Sequence, residues 1–148
     1  MLILEFKGRI KGRKIYEEFA EDVVNELFPR EFKRDIVIGI HFKNVVENGF
    51  FGQAVDVDVD EYRVEVGKVV DEGELRAVEP REIASTIAHE LVHIKQYIRR
   101  ELSQGATVWK GQKIPVGPRG GTIRYRDQPW EKEAFRREKE FTELYWDE

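Results

Sequence analysis

The sequence predicts an α+β fold, in which a small antiparallel or mixed sheet packs with an N-terminal, a central and a C-terminal helix. Three observations carry this. Apolar residues recur at helical spacing in three separate stretches, and Ile- and Val-rich runs with strand alternation lie between the first and second. No repeat, low-complexity tract or Pro/Ser-rich linker divides the chain. Its 148 residues, 41% hydrophobic and 36% charged, suffice for one hydrophobic core without staples, so residues 1–148 read as a single domain.

The first helix is expected from about Lys14 to Leu27, where Ile15, Phe19, Val23, Val24 and Leu27 share a face and Pro29 ends the pattern. Asp35 to Lys43 reads as a buried strand, closed by Asn48-Gly49. Val55, Val57 and Val59 then alternate with Asp56, Asp58 and Asp60, and Tyr62, Val64 and Val66 resume the period. A hairpin or one long bent strand is expected here, with the valines on the core face and the aspartates in water. Asp71-Glu72-Gly73 is a turn. Glu79-Pro80 then opens the central helix, expected to reach about Glu101. Glycines and prolines among Val108, Trp109, Ile114, Val116, Ile123 and Tyr125 predict a loose hairpin over Gly105 to Tyr125. Asp127 caps the last helix, which has Pro129 in its first turn and runs to about Trp146.

Composition limits the function. With no cysteine, thiol catalysis, disulfide frameworks and zinc ribbons are excluded, and any metal must be held by His and carboxylates. Apolar runs such as Ile36 to Ile40 are too short to cross a bilayer, and Lys7, Arg9 and Lys11 interrupt any signal-peptide pattern, which predicts a cytoplasmic protein without a membrane partner. Abundant Glu, Lys and Arg with one Met resemble thermophile usage. A net charge of −4 argues against coating nucleic acid. The exception is a local one: Lys110, Lys113, Arg119, Arg124 and Arg126 surround Trp109 and Tyr125, the ingredients of a stacking surface.

Chemistry concentrates at His89-Glu90-Leu91-Val92-His93, an H-E-x-x-H in the middle of the central helix. Residues four apart lie on one helical face, so both imidazoles can approach one ion, with Glu90 near enough to reach its water. Ile83, Ile87, Leu91, Ile94 and Ile98 form an apolar back, while His89 and His93 project from the other side with Glu82, Thr86 and Gln96, a packed back and a polar front open to a cleft. Catalytic zinc takes three protein ligands and keeps one position open. For the third, His41 sits on a strand far upstream. The last helix offers Glu131 at the edge of its apolar face, Glu133 pointing largely away, and Glu138 further along, as a ligand or as the partner of a histidine. Asp56, Asp58 and Asp60 lack the glycine of a calcium loop.

H-E-x-x-H followed by Glu131-Lys132-Glu133-Ala134 on a later helix resembles the gluzincin metallopeptidases, and the short chain is similar to minigluzincins and small phage-type or SprT-like peptidase domains. The resemblance spans roughly Pro80 to Phe135. It implies that the first Glu of the E-x-x-A element, Glu131, is the third zinc ligand, that Glu90 is the catalytic base, then acid, and that the partner is a peptide or protein substrate. Many gluzincins carry Asp or Asn directly after that Ala to steady a histidine, where this chain has Phe135. Tyr125, Arg124 and Tyr97 are candidates to stabilise the oxyanion, and the strand from Ala54 to Asp60 could present an edge to an extended peptide. The alternative is a latent or inactive zincin-like binding module, associated with nucleic acid or inhibited by residues Trp146 to Glu148 reaching the metal.

Overall fold

The computed structural model describes residues 1–30, 32–46, 51–103, 108–114 and 124–146. Strand β1 (Leu2–Lys7) leads through helix α1 (Arg13–Leu27) to β2 (Ile36–Lys43), and β3 (Gly52–Asp58) and β4 (Glu61–Gly67) form a hairpin. A short hairpin of β5 (Val69–Asp71) and β6 (Leu75–Ala77) precedes helix α2 (Pro80–Ile98). Strands β7 (Leu102–Ser103), β8 (Val108–Trp109) and β9 (Gln112–Lys113) make a small meander, and a 3₁₀ turn at Tyr125–Asp127 enters helix α3 (Pro129–Tyr145). The fold is α+β, as expected.

The main sheet runs β1-β2-β4-β3. Its first three strands are parallel and only β3 is antiparallel to its neighbour, because a tight hairpin joins β3 to β4 whereas α1 carries the chain from β1 to β2. Register places Leu4, Ile38 and Tyr62 in one row and Phe6, Ile40 and Val64 in the next. These alternate residues form the face on which the helices pack, and Ile36, Ile38, Ile40, Val64 and Val66 are wholly buried there. Tyr16 of α1 meets Phe42 of β2. The opposite face carries His41, Lys43, Arg63 and a buried Glu65 that accepts hydrogen bonds from Lys43 and Gln53.

Local readings hold with four corrections. The valines of the Val/Asp alternation do not face the core. Ala54 lies opposite Val64 and Asp56 opposite Tyr62, so the helix-facing residues of β3 are Gly52, Ala54 and Asp56, and Val57 and Val59 are exposed. A period of two separates two faces without saying which is covered, and β3 is an edge strand whose far end, past a register shift between Asp56 and Asp58, extends into solvent. Helix α2 stops three residues early. Arg100 takes a left-handed φ of 55°, and the Glu101 and Arg100 amides donate to the Gln96 and Tyr97 carbonyls, the hydrogen-bond pair that closes a helix end. Asp127 belongs to the 3₁₀ turn, so Gln128 is the cap of α3. The expected loose hairpin is a tight one over 108–113, turning at Lys110-Gly111 with φ of 49° and 83°, while Val116 and Ile123 lie outside the described residues, as do Asn48 and Gly49. The strand β1 carries no expectation from the sequence.

Helix α2 begins as the sequence indicates, with Pro80 in its first turn and the Glu82 carboxylate accepting the Glu79 amide at 3.2 Å. It is the most enclosed element: from Ala88 to Gln96 every residue is buried, since the sheet covers one side and α3 the other. No helix among the described residues is long and apolar enough to cross a membrane. Phe141, 1% exposed, ties α3 into the common core. Phe141→Ala is expected to destabilise the protein by about 3–5 kcal/mol, the cost of the lost burial plus a cavity, measured as the shift in urea unfolding.

Candidate metal centre

The site lies where the second half of α2 meets the start of α3. His89 and His93 stand one helical turn apart with ring centroids 4.9 Å from each other. Each points its Nε2 at the same atom, Oε1 of Glu131, at 2.9 Å from His89 and 3.1 Å from His93. These three groups could hold a metal ion: their ligand atoms all lie within 4.8 Å of one another. All three residues are buried.

The other ring nitrogens are held too. His89 Nδ1 lies 3.0 Å from Glu138 Oε1, and the same carboxylate accepts the Ser85 hydroxyl. His93 Nδ1 lies 2.8 Å from Gln96 Oε1. With a carboxylate and an amide oxygen as acceptors, each Nδ1 carries a hydrogen, so when a ring gives up its second hydrogen the lone pair is left on Nε2, on the side of Glu131. On α3, Glu131, Phe135 and Glu138 follow at helical spacing of four and three. Phe135 sets its edge against the His89 ring at a centroid distance of 4.7 Å. The position occupied by Phe135 thus packs the histidine, and Glu138, one turn on, supplies the hydrogen bond.

Glu90 forms part of the wall of a cleft of about 460 Å³, with His89, Phe51, Gly52, Ser85, Thr86, Phe135 and Glu138 among its other walls. The cleft exists because β3 comes close to α2: a Cβ on Gly52 would lie 2.5 Å from the Thr86 methyl and 2.6 Å from the Glu65 carbonyl oxygen. The polar front read from the sequence is therefore less open than expected. Only its N-terminal part faces the cleft. Gln96 is wholly buried, and α3 covers the rest.

Electrostatics follow from these contacts. Burial raises the Glu90 pKa, with the two histidines pulling the other way. Burial alone would lower His89, but hydrogen bonds to Glu131 and Glu138 outweigh it and raise the pKa to about 10. Burial works to raise Glu131, yet the hydrogen bonds from His89 and His93 bring it down to about 2. Without metal, the raised His89 and the lowered Glu131 favour a charged pair at their contact.

His89, Glu90, His93 and Glu131 are brought together. Glu138 serves His89, whereas Glu133 turns aside to Lys95 and Gln96, at 2.7 and 3.0 Å. His41 lies on β2, on the face away from the helices. Asp60 pairs with Arg34 and the Asp58 carboxylate accepts the Val59 amide, so the three aspartates do not converge. Tyr125 lines the cleft, and its pKa is raised by burial and by the charge of Glu131. Tyr97 is half-buried, raised by burial and by the charge of Glu90, and Arg124 is exposed. Trp146 stacks on Tyr16 of α1, away from the cleft, and residues 147–148 lie outside the described ones, as does Arg119. Trp109 packs near Trp130 under Lys110, and Tyr125 sets its edge against Phe135, so both aromatics of the basic stretch are engaged within the chain. The reading missed Ser85 and Phe51 and left Gln96 without a role, although Ser85 and Gln96 stand four before His89 and three after His93.

Comparison with family models, with curated proteins and with solved structures finds no match for this chain.

The shifts set a pH dependence. The raised His89 adds stability in full below its ordinary 6.5 and loses it as pH rises toward about 10. The depressed Glu131 adds stability above its ordinary 4.5 and loses it as pH falls toward about 2. For metal-free protein these two contributions are both complete only between 4.5 and 6.5, so unfolding free energy is expected to fall from about pH 6.5 to about pH 9. Added zinc competes with the protons, so its stabilising effect should grow over that interval. Thermal melts with chelator and with zinc check both.

Proposed function

We propose that the protein is a zinc-dependent peptidase of the gluzincin type. The observation that supports this best is the convergence of both H-E-x-x-H imidazoles on one oxygen of Glu131, with Glu90 on the wall of the adjoining cleft. Two imidazoles and one carboxylate make the donor set of a catalytic zinc with one position left open. The fit is strengthened by the occupied Nδ1 atoms, which direct both Nε2 atoms inward. When bound by His89, His93 and Glu131, zinc supplies a water acidified to near neutrality and polarises the scissile carbonyl.

The chain's own residues do the rest. Glu90 takes the proton of the attacking water and delivers it to the leaving amine, and burial raises its pKa. Tyr125, on the wall of the cleft, is the candidate donor to the developing oxyanion. Strand β3 ends the sheet order and, among the described residues, pairs only with β4. A peptide adding to its outer edge would be laid along the cleft in extended form. Of the cleft carboxylates, Glu82 is paired with Arg76 and Glu138 with Ser85 and His89. The remaining surface of Phe51, Gly52 and Phe135 therefore favours an apolar substrate side chain.

The test is Glu90→Gln, assayed on a fluorogenic peptide mixture with zinc content measured in parallel. Loss of about 10²–10⁴-fold in turnover is expected, the usual worth of a general base, with zinc retained. Cleavage that survives the change would overturn the role of Glu90, and a zinc-loaded protein without any cleavage would favour a binding module.

A further inference from the structure

Gln96 is wholly buried beside the metal centre, and its amide can be oriented from its neighbours alone. Its Nε2 lies 3.0 Å from the Trp130 carbonyl oxygen and 3.0 Å from the Glu133 carboxylate. A carbonyl and an ionised carboxylate can only accept, so the NH₂ group faces them and Oε1 faces His93 Nδ1. That nitrogen must then carry the hydrogen. Glu133 is itself pinned by buried Lys95 at 2.7 Å, and Lys95 by Glu101 at 2.7 Å. One row of contacts thus runs Glu101, Lys95, Glu133, Gln96, His93, each partner fixing the orientation of the next. The row joins the start of α3 to α2, and Glu131 stands two residues before Glu133 on that helix.

We propose that Glu133, held by Lys95, is a positioning residue that acts through Gln96 to present the Nε2 lone pair of His93 to the metal. The inference rests on the metal-binding part of the reading above and not on peptidase activity. Without Glu133 only the Trp130 carbonyl still holds the NH₂ group, the bias against a flipped amide weakens, and a flipped amide would offer N–H to His93 Nδ1, which favours the ring form with its hydrogen on Nε2, the wrong atom for a ligand. Glu133→Gln keeps an oxygen that Lys95 can hold, so the conservative variant should rescue.

The experiment is a double-mutant cycle on zinc affinity, measured with purified protein against a chromophoric chelator, together with nitrogen-15 spectra of the His93 ring in the zinc-free and zinc-loaded protein. Glu133→Ala is expected to weaken zinc binding roughly 10-fold, at the lower end for lost partners of metal ligands, and to shift the His93 Nδ1–H signal. Glu133→Gln should stay near the parent value. In a Gln96→Leu background, Glu133→Ala should have no further effect on affinity. Should Glu133→Ala fail to fold, Lys95→Met enters the same cycle with the same expectation. An equal loss in both backgrounds would overturn the relay through Gln96, as would unchanged affinity with an unmoved His93 signal. If the parent protein binds no zinc, the metal centre and this inference fall together, whereas parent binding with an additive cycle sinks this inference alone.

Discussion

The contact on which the site depends is one carboxylate oxygen, Glu131 Oε1, approached by two imidazole nitrogens of a neighbouring helix. A carboxylate as deeply buried as Glu131 is costly unless its charge is met. Here it is met by groups that a second helix supplies one turn apart, so the partners lock the register of α3 against α2 as well as compensating the charge. A shift of α3 by one residue would turn Glu131 out of reach and bring no equivalent group in, since Trp130 and Lys132 flank it. The same geometry puts Ala134 and Phe141 into the core and Phe135 and Glu138 against His89. Packing and chemistry are therefore one arrangement.

Helix α2 has to serve two masters, and its residues divide accordingly. Ile83, Ile87, Leu91 and Ile94 bury themselves in the common core, which gives the helix a rigid position, while the other side carries groups that are individually unfavourable to bury. Ser85, His89, His93, Lys95 and Gln96 are tolerated because each of them has a partner: Ser85 and His89 on Glu138, His93 on Gln96, Gln96 on Trp130 and Glu133, Lys95 on Glu133 and Glu101. Breaking one member of such a network leaves a neighbour unsatisfied, so the cost spreads beyond the altered residue. At the N-terminal end the network stops and the cleft begins, where Gly52 lets the edge strand approach the helix without filling the space between them.

Much of the framework was legible because its causes are local. Helical and strand periodicity located α1, β2, the β3–β4 hairpin, α2 and α3 within a few residues, and the i to i+4 spacing of His89 and His93 by itself put both rings on one face. Periodicity also placed Glu131 at an inward edge of its helix. It was silent or misleading where the answer depends on what lies across a gap. The Val/Asp alternation has the right period, but β3 sits at the sheet edge and turns its valines outward. Glu133 reads as pointing away from its own helix's apolar face, yet buried Lys95 waits beside it.

By itself, then, the order of residues determined which side chains share a helical face, where helices begin, and that any ion must be met by histidine and carboxylate, since no thiol exists. Only the tertiary structure decided which glutamate closes on both histidines, which holds His89 from behind, and that Gln96 is oriented by a salt-bridged partner on another helix. Those outcomes turn on distances of about 3 Å between atoms some 40 residues apart in sequence, and such distances are set by how whole elements pack, a quantity that no local pattern carries.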